Sequence, residues 1–127
     1  EARPLIFVIK TFLSQRNLNE VYTGGIGSYA LFILVISFLQ HREKEDHEDR
    51  ELDLGKLLLD FFELYGSFFN YFNTGISINN GGSYFPKMNK GWDDNERPFL
   101  LSIQDPNDPD NDVSKSSYQI LMVREAF

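Results

Sequence analysis

The residues best suited to chemistry lie in a glycine-rich turn, residues 23–29 (TGGIGSY), that leads into an apolar run at 30–39. The glycines free the backbone from Cβ sterics, and Ser28 and Tyr29 fall on the first turn of the predicted helix, where N–H groups have no intrahelical acceptor. Such a helix start favours an anion such as phosphate, and a tyrosine ring offers a face on which a base can stack. The turn therefore predicts an anion site beside a stacking ring; an ordinary loop and helix start is the alternative.

A run of charged residues at 41–51 (HREKEDHEDRE) contains both histidines of the chain. His41 and His47 could hold a metal together with nearby carboxylates, and Glu51 with Asp53 could hold Mg²⁺ for phosphoryl transfer. The run has no apolar periodicity, so solvation of an exposed loop accounts for it without a ligand. Asp53 is in turn explained as the N-cap of a helix. We therefore predict an exposed, mobile loop here rather than a metal site.

A second acidic cluster, Asp108, Asp110 and Asp112, lies in a proline-broken loop. The three aspartates have the spacing of the first three ligands of an EF-hand calcium loop. However, Val113 stands where that loop needs Gly, and Gln119 stands where it needs Glu. Aspartates commonly form turns in such loops, and this explains the cluster without Ca²⁺ or Mg²⁺. The residues by themselves identify no metal site and no catalytic centre in this chain.

Residues 25–30 (GIGSYA) also satisfy the dinucleotide fingerprint G-x-G-x-x-A. That fingerprint requires a strand before it and an alternation of strands and helices around it. Here a predicted helix and a turn precede the glycines, and the alternation is missing. The sequence therefore excludes a Rossmann fold.

Composition limits the class of protein. The chain has 127 residues, 42% of them hydrophobic, which suits one domain with a packed core. Its net charge of -7 and pI near 4.7 argue against a broadly basic nucleic-acid-binding surface. Without cysteine there is no disulfide framework and no thiolate metal site. The longest apolar stretch, 30–39, is shorter than the about 20 residues that span a bilayer.

Hydrophobic periodicity and turn signals predict a mainly α domain with a small β-hairpin and one short strand. Helices are predicted at 4–15, 28–40, 53–69 and 114–127. The hairpin is predicted from 75–78 and 83–86 around the turn signal at 79–82, the short strand at 99–103, and a Pro and Asp rich loop at 104–112. The inner side of the last helix is predicted to carry Tyr118, Leu121, Met122 and Ala126.

Taken together and in order, several segments resemble the central domain of template-independent poly(A) polymerases of the nuclear RNA-surveillance type, which work in the TRAMP complex. The matching residues are 3–5, 10, 18–20, 23–29, 58–66, 103–106 and 111–118. The resemblance covers almost the whole chain, so residues 1–127 are expected to form this PAP-associated domain. In that family, part of the DNA polymerase beta-like nucleotidyltransferase superfamily, a catalytic domain with three metal-binding carboxylates precedes most of the central domain. Nothing here matches that part, so we expect a piece of a longer protein.

The resemblance implies roles for residues of the first two helices. Lys10 is similar to the lysine that reaches the triphosphate, a role its charge can serve from a helix edge. Gly27 and Ser28 match the nucleotide-binding turn, where the Ser28 hydroxyl bonds phosphate, and Tyr29 matches the ring that stacks on the base. Many relatives carry a second phosphate-binding lysine one turn after Lys10, whereas Ser14 stands there in this chain. Phosphate binding is therefore expected to be divided among the residues of this chain differently than in those relatives.

The loop at 104–112 is similar to the family's nucleotide recognition motif. Asp105 and Asp108 match its acidic positions, and Asn111 stands where uridylyl-transferring relatives carry histidine. An amide can both donate to and accept from an adenine edge, whereas a bulkier histidine would crowd a purine. The resemblance therefore implies ATP rather than UTP as the substrate. A plain turn-forming role for Asn111 is the alternative.

Lys87, Lys90 and Trp92 form a small basic and aromatic group that could contact RNA, since an aromatic ring contributes about 1–3 kcal/mol to a stacked base. A plain surface loop is the alternative. The acidic total charge implies that most of the RNA affinity comes from another part of the protein or from a partner.

The resemblance therefore implies the nucleotide-selecting half of an RNA adenylyltransferase that adds A residues to RNA 3′ ends. It also implies ATP as substrate, Mg²⁺ or Mn²⁺ held by the absent catalytic domain, and a zinc-knuckle RNA-binding protein and an RNA helicase as partners in the nucleus, with no membrane association. Two alternatives remain: a helical scaffold that binds a partner without a nucleotide site, and a uridylyltransferase.

Overall fold

The structure is a computed structural model that describes residues 2–45 and 53–127. Helices and two small antiparallel hairpins build it. The helices are α1 (Ala2–Gln15), α2 (Ser28–Glu45), α3 (Leu54–Glu63) and α4 (Ile120–Ala126). The hairpins are β1–β2 (Thr74–Ser77, Ser83–Pro86) and β3–β4 (Gln104–Asp105, Asp108–Asp112), with short 3-10 helices at Val21–Thr23, Asn79–Gly81 and Lys87–Lys90.

The core forms where α1 and α3 pack with α2. On α1, Leu5, Ile9 and Leu13 recur every four residues and are fully buried, which gives this helix one apolar face. On α2, apolar side chains lie on nearly every side, and most of them are buried. The first two predicted helices are confirmed, although α1 begins at Ala2 instead of Pro4. The second is not enclosed on every side, because Tyr29 and Phe32 are each 43% exposed.

The third helix starts and ends for local reasons. The Asp53 carboxylate accepts the Gly55 N–H at 3.0 Å, which confirms the predicted N-cap. After Glu63 the chain continues as one π-helical segment, Leu64–Phe68, instead of a regular helix to residue 69. Gly66 in that segment lies against the backbone of Phe127, where a Cβ would come within 2.9 Å of the Phe127 carbonyl carbon. Close packing therefore explains this glycine.

The first hairpin is confirmed. Its second strand has the predicted bounds, whereas its first strand begins one residue earlier, at Thr74, and ends at Ser77 instead of Ile78. Its register pairs Gly75 with Phe85 and Ile76 with Tyr84. The predicted strand at 99–103 is wrong in extent, because only Ile103 makes a bridge, parallel to Ile76.

The second hairpin was not predicted. Residues 104–112 contain prolines and aspartates that favour turns, yet they pair as β3 and β4 with a register shift between Gln104 and Asp105. Asp112 ends this hairpin, and its Oδ1 accepts the N–H groups of Ile103 at 3.0 Å and Ser114 at 2.9 Å. A side-chain acceptor thus replaces part of a regular strand ladder.

Besides the end of the third helix, the predicted end of α2 and the predicted start of α4 are wrong. α2 continues through Glu45, so residues 41–45 of the predicted loop are helical; residues 46–52 lie outside the described part of the chain. α4 begins at Ile120 instead of 114, and its buried face consists of Ile120 and Val123. The predicted inner residues Tyr118, Leu121 and Met122 are exposed (46%, 49% and 52%), because turns at 114–119 shift the phase of the helix.

Within residues 2–45 and 53–127, no helix combines the length and apolar character that crossing a membrane requires.

Candidate nucleotide-binding site

The glycine-rich turn is held between two other segments. Gly24 adopts a left-handed conformation with φ of 87°, and its carbonyl accepts the Gln119 N–H at 2.8 Å. Ser117 donates its hydroxyl to the Gly25 carbonyl at 3.0 Å. On the other side, Gly25 lies directly against the backbone of Leu18, where a Cβ would come within 2.3 Å of the Leu18 carbonyl oxygen. The first two glycines are therefore required by backbone conformation and close packing.

We expect Gly25→Ala to lower the free energy of unfolding by about 2–4 kcal/mol, because backbone atoms of Leu18 cannot move aside as a side chain could. Urea denaturation of the full-length protein checks this. Gly55→Ala is the matched control: its nearest neighbour is Asp53 Oδ1 at 3.4 Å, and alanine in a helix gains up to about 1 kcal/mol over glycine. Equal stability of the two variants would contradict the close-packing account.

The start of α2 faces solvent. The first intrahelical hydrogen bond runs from the Leu31 N–H to the Gly27 carbonyl at 3.0 Å, so Gly27 is the N-cap. The N–H groups of residues 28–30 precede that bond, and Ser28 and Tyr29 are both exposed. A phosphate could therefore reach the donors and the Ser28 hydroxyl, as the sequence analysis predicts.

Tyr29 lies next to two predicted site residues of the second hairpin. Its hydroxyl donates to Asp105 Oδ1 at 2.9 Å, although the two residues are 76 positions apart. The Asn111 amide donates to Asp105 Oδ2 at 3.3 Å, and the Asn107 N–H donates to Asp105 Oδ1 at 2.9 Å. We call Tyr29, Asp105 and Asn111 the tyrosine cluster. The fold thus brings the ring that is predicted to stack and the loop that is predicted to recognise the nucleotide into one hydrogen-bonded group.

The protonation states in the tyrosine cluster follow from these bonds. The Asn107 N–H lowers the pKa of Asp105 below its usual value, with further lowering by Tyr29 and Asn111 against an opposing effect of burial. Burial raises the pKa of the Tyr29 hydroxyl above its usual 10.0, and Asp105 raises it further. The pair therefore persists as phenol and carboxylate at neutral pH. It is lost as the pH falls through the lowered pKa of Asp105 or rises through the raised pKa of Tyr29.

The orientation of the Asn111 amide is a consequence of the same bonds. An ionised carboxylate only accepts hydrogen bonds, so Asn111 must present its NH₂ group to Asp105. Its carbonyl oxygen and second N–H make no hydrogen bond with the described residues. Asp108 lies on the same hairpin, but it is exposed, and its Oδ1 accepts the Asp110 N–H at 3.3 Å in a local turn.

Lys10 lies on the exposed side of α1, at a surface pocket of about 340 Å³. The other residues that line the pocket are Phe7, Thr11, Ser14, Gln15 and Asn19. Asn19 follows Leu18, whose carbonyl accepts the Ile26 N–H at 2.8 Å. The pocket with Lys10 therefore adjoins the glycine-rich turn.

Lys87 is not the exposed residue that an RNA contact requires. It is 1% exposed, and its ammonium donates to the carbonyls of Tyr71, Pro98 and Leu100 at 2.8, 3.1 and 2.7 Å. All three donors of the ammonium are thereby used. Burial lowers the pKa of Lys87, while the carboxylate of Asp112 has the largest opposing effect. The prediction of a surface position is wrong, because sequence carries no signal for three main-chain acceptors at one point.

Lys90 and Trp92 are partly buried and lie together. The Lys90 ammonium donates to the Pro109 carbonyl at 2.9 Å and lies 5.4 Å from the centre of the Trp92 ring. Trp92 packs edge-on against Phe85 at 5.7 Å. Lys90 thus joins this pair of residues to β4 of the second hairpin.

In the described part of the chain, no group of three or more His, Cys, Asp or Glu residues could hold a metal ion. Asp53 caps α3, Asp112 accepts main-chain N–H groups, and His41 stacks on Tyr84 with ring centres 4.1 Å apart. His47 and Glu51, the other proposed ligands, lie outside the described residues.

Comparisons with known proteins agree on one family. A model of the Cid1 family poly A polymerase matches residues 53–111. The chain is 54% identical, over 99% of its length, to poly(A) RNA polymerase CID14 of Cryptococcus neoformans, and it spans 17% of that protein. A solved structure of the polymerase core of TRAMP, an RNA surveillance complex, superposes with a TM-score of 0.87 at 38% identity, covering 98% of this chain and 40% of that one.

Not every similar protein is named as active. Trf4-2 of Drosophila melanogaster, described as an inactive poly(A) RNA polymerase protein, is 39% identical over the whole chain, which spans 32% of its length. Similarity over these residues therefore identifies the family without deciding activity.

Proposed function

The chain belongs to the Cid1 family of poly A polymerases, and on this basis we propose that it binds and selects ATP as the nucleotide-binding half of an RNA adenylyltransferase. The tyrosine cluster is the observation that carries the proposal. It joins an exposed aromatic ring, at a helix start that suits phosphate, to a carboxylate and an amide suited to a base edge.

In this proposal each residue has a separate task. The Tyr29 ring stacks on the base, Ser28 and the N–H groups at the start of α2 bind phosphate, and Lys10 approaches the triphosphate from the neighbouring pocket. Asp105 holds Tyr29 and Asn111 in place through its two oxygens. The residues thus bind and orient the nucleotide and leave bond formation to another part of the protein.

The proposal extends to the full-length protein. The carboxylates that hold Mg²⁺ or Mn²⁺ would lie in another part of the full-length protein, and the described residues of this chain offer no suitable group. The reaction would add A residues to RNA 3′ ends in nuclear RNA surveillance. Similarity to the TRAMP polymerase core supports assembly into a TRAMP-like complex. Its partners there would be a zinc-knuckle RNA-binding protein and an RNA helicase, which the family resemblance alone implies.

In this proposal Asn111 is the residue that favours ATP over UTP. Replacing it with histidine adds bulk where a purine must fit and removes the amide that pairs with an adenine edge. We expect Asn111→His to lower the ratio of kcat/KM for ATP to that for UTP by roughly 10-fold. Steady-state tailing with each nucleotide checks this, with Asn95→His at an exposed loop position as the control. An unchanged ratio would remove Asn111 from the selectivity determinants.

A non-catalytic scaffold is the second candidate function, and the inactive relative Trf4-2 favours it. In a scaffold of this fold, the tyrosine cluster would serve only to join α2 to the second hairpin. ATP would then neither bind nor be consumed.

The deciding experiment is RNA 3′-tailing by the purified full-length protein, together with its zinc-knuckle partner, offered ATP and UTP separately with Mg²⁺ and with Mn²⁺. Tails that form with ATP in preference to UTP would support the adenylyltransferase. Preference for UTP would favour uridylyl transfer. Absence of tails with either nucleotide, from a protein that is folded and binds its partner, would favour the scaffold.

A further inference from the structure

The second hairpin carries Asp105 and Asn111, and its own pairing is too weak to fix their positions. β3 has two residues and β4 has five, and their register shifts between Gln104 and Asp105. Two-stranded hairpins of this length are marginal in water without packing against another element. The hairpin therefore depends on contacts with other elements, and at β3 the bonds of Gln104 to Ser77 and of Tyr29 to Asp105 provide two of them.

The 3-10 helix Lys87–Lys90 is a firm base for such a contact. Its first residue, Lys87, is fixed by three carbonyls, from Tyr71, Pro98 and Leu100. The Lys87 N–H also donates to Asn73 at 2.9 Å. This helix is thereby joined to the core at several points and has little freedom to move.

Lys90, at the other end of this helix, reaches the hairpin. Its ammonium donates to the Pro109 carbonyl at 2.9 Å and lies 5.9 Å and 5.4 Å from the ring centres of Phe85 and Trp92. The two rings attract the cation and confine its side chain. A hydrogen bond from a charged donor is stronger than one from a neutral donor, so the bond to Pro109 restrains β4 close to Asn111.

We propose that Lys90 is a positioning residue that holds the second hairpin so that Asp105 and Asn111 meet the incoming base. The inference rests on the proposed nucleotide-binding function. It is an alternative to the predicted RNA contact of Lys90, and it is favoured because the ammonium donates to a carbonyl of the hairpin.

The test compares Lys90→Met with Lys90→Arg in the full-length protein. Methionine keeps the bulk of the side chain but removes the donor, whereas arginine keeps the charge, the donor and the attraction to aromatic rings. We expect Lys90→Met to raise KM for ATP roughly 5-fold and to lower the preference for ATP over UTP, with kcat and KM for RNA unchanged. Lys90→Arg should restore most of the loss.

Lys56→Met on α3 is the matched control, because Lys56 is exposed and makes only an i,i+4 pair with Asp60 at 3.6 Å. It removes the same charge from the same protein without touching the hairpin. A rise in KM for RNA with unchanged KM for ATP would overturn the positioning role in favour of an RNA contact. Kinetics of Lys90→Met identical to those of the control would also overturn it.

Hydrogen exchange separates this inference from the proposed function. We expect amides 104–112 to exchange faster in Lys90→Met than in wild type or Lys56→Met, whether or not the protein makes tails. Faster exchange in a protein that makes no tails would uphold the contact and refute the proposed function. Unchanged exchange in a protein that makes ATP-dependent tails would refute the inference alone.

Discussion

Tyr29→Ala in the full-length protein is expected to lower kcat/KM for ATP roughly 10- to 100-fold, because a stacked aromatic ring contributes about 1–3 kcal/mol per base. The loss should exceed that of stacking alone, since Asp105 also loses the donor that helps hold it. The ring is 43% exposed, so its removal leaves the core intact. Steady-state kinetics of ATP-dependent tailing measure the effect, and circular dichroism verifies that the fold is retained.

Two further variants separate the parts of this effect. Tyr29→Phe keeps the ring and removes only the hydroxyl, so it should retain most of the stacking energy and lose a few-fold in kcat/KM. Tyr22→Ala removes a tyrosine that is 83% exposed, close to the same turn, and should behave like wild type. If Tyr29→Ala and Tyr22→Ala were equally active, the ring of Tyr29 would not be the base-binding group.

Lys87→Met is expected to lower the free energy of unfolding by about 3 kcal/mol or more. Methionine relieves the cost of burying an ammonium, which the lowered pKa of Lys87 reflects. However, the same substitution removes the charged donor from three carbonyls, those of Tyr71, Pro98 and Leu100. Each buried acceptor left unpaired costs about 1–3 kcal/mol, so the loss outweighs the relief.

Urea denaturation of the full-length protein, combined with hydrogen exchange at residues 97–103, checks this prediction. Faster exchange should be concentrated in that segment, because it contains two of the three acceptors, the carbonyls of Pro98 and Leu100. Lys56→Met serves again as a charge-matched variant and should unfold like wild type. Stability of Lys87→Met equal to wild type would mean that burial of the ammonium costs as much as its hydrogen bonds return.

The elements set by local signals were the ones that sequence could predict. The apolar spacing on α1, the Asp53 cap and the turn at 79–82 each act over a few residues, and each gives the structure expected of it. The second hairpin was missed because prolines and aspartates are typical of turns. Its two ends are held together by the bond from the Ile103 N–H to the Asp112 carboxylate, which no local sequence signal indicates. Likewise α4 starts late because residues 117–119 are occupied in holding the glycine-rich turn.

For the candidate site, residue types could be predicted and contacts could not. Resemblance to the family selected Tyr29, Asp105 and Asn111, but nothing in the sequence indicates that Asp105 accepts from both of the others. Lys87 illustrates the reverse case. A lysine is normally read as solvated, and its burial here depends on three carbonyls from other segments that only the folded chain brings together.

The two contacts that complete the glycine-rich turn and the tyrosine cluster join residues 92 and 76 positions apart. Closing loops of that length costs chain entropy before any contact is gained, so we expect these bonds to form late in folding. During synthesis, α1 and α2 can leave the ribosome and pack long before Ser117 is available to hold Gly25. A nascent chain that stops short of residue 117 would therefore contain these helices without the two contacts, from Ser117 and Gln119, that hold the glycine-rich turn.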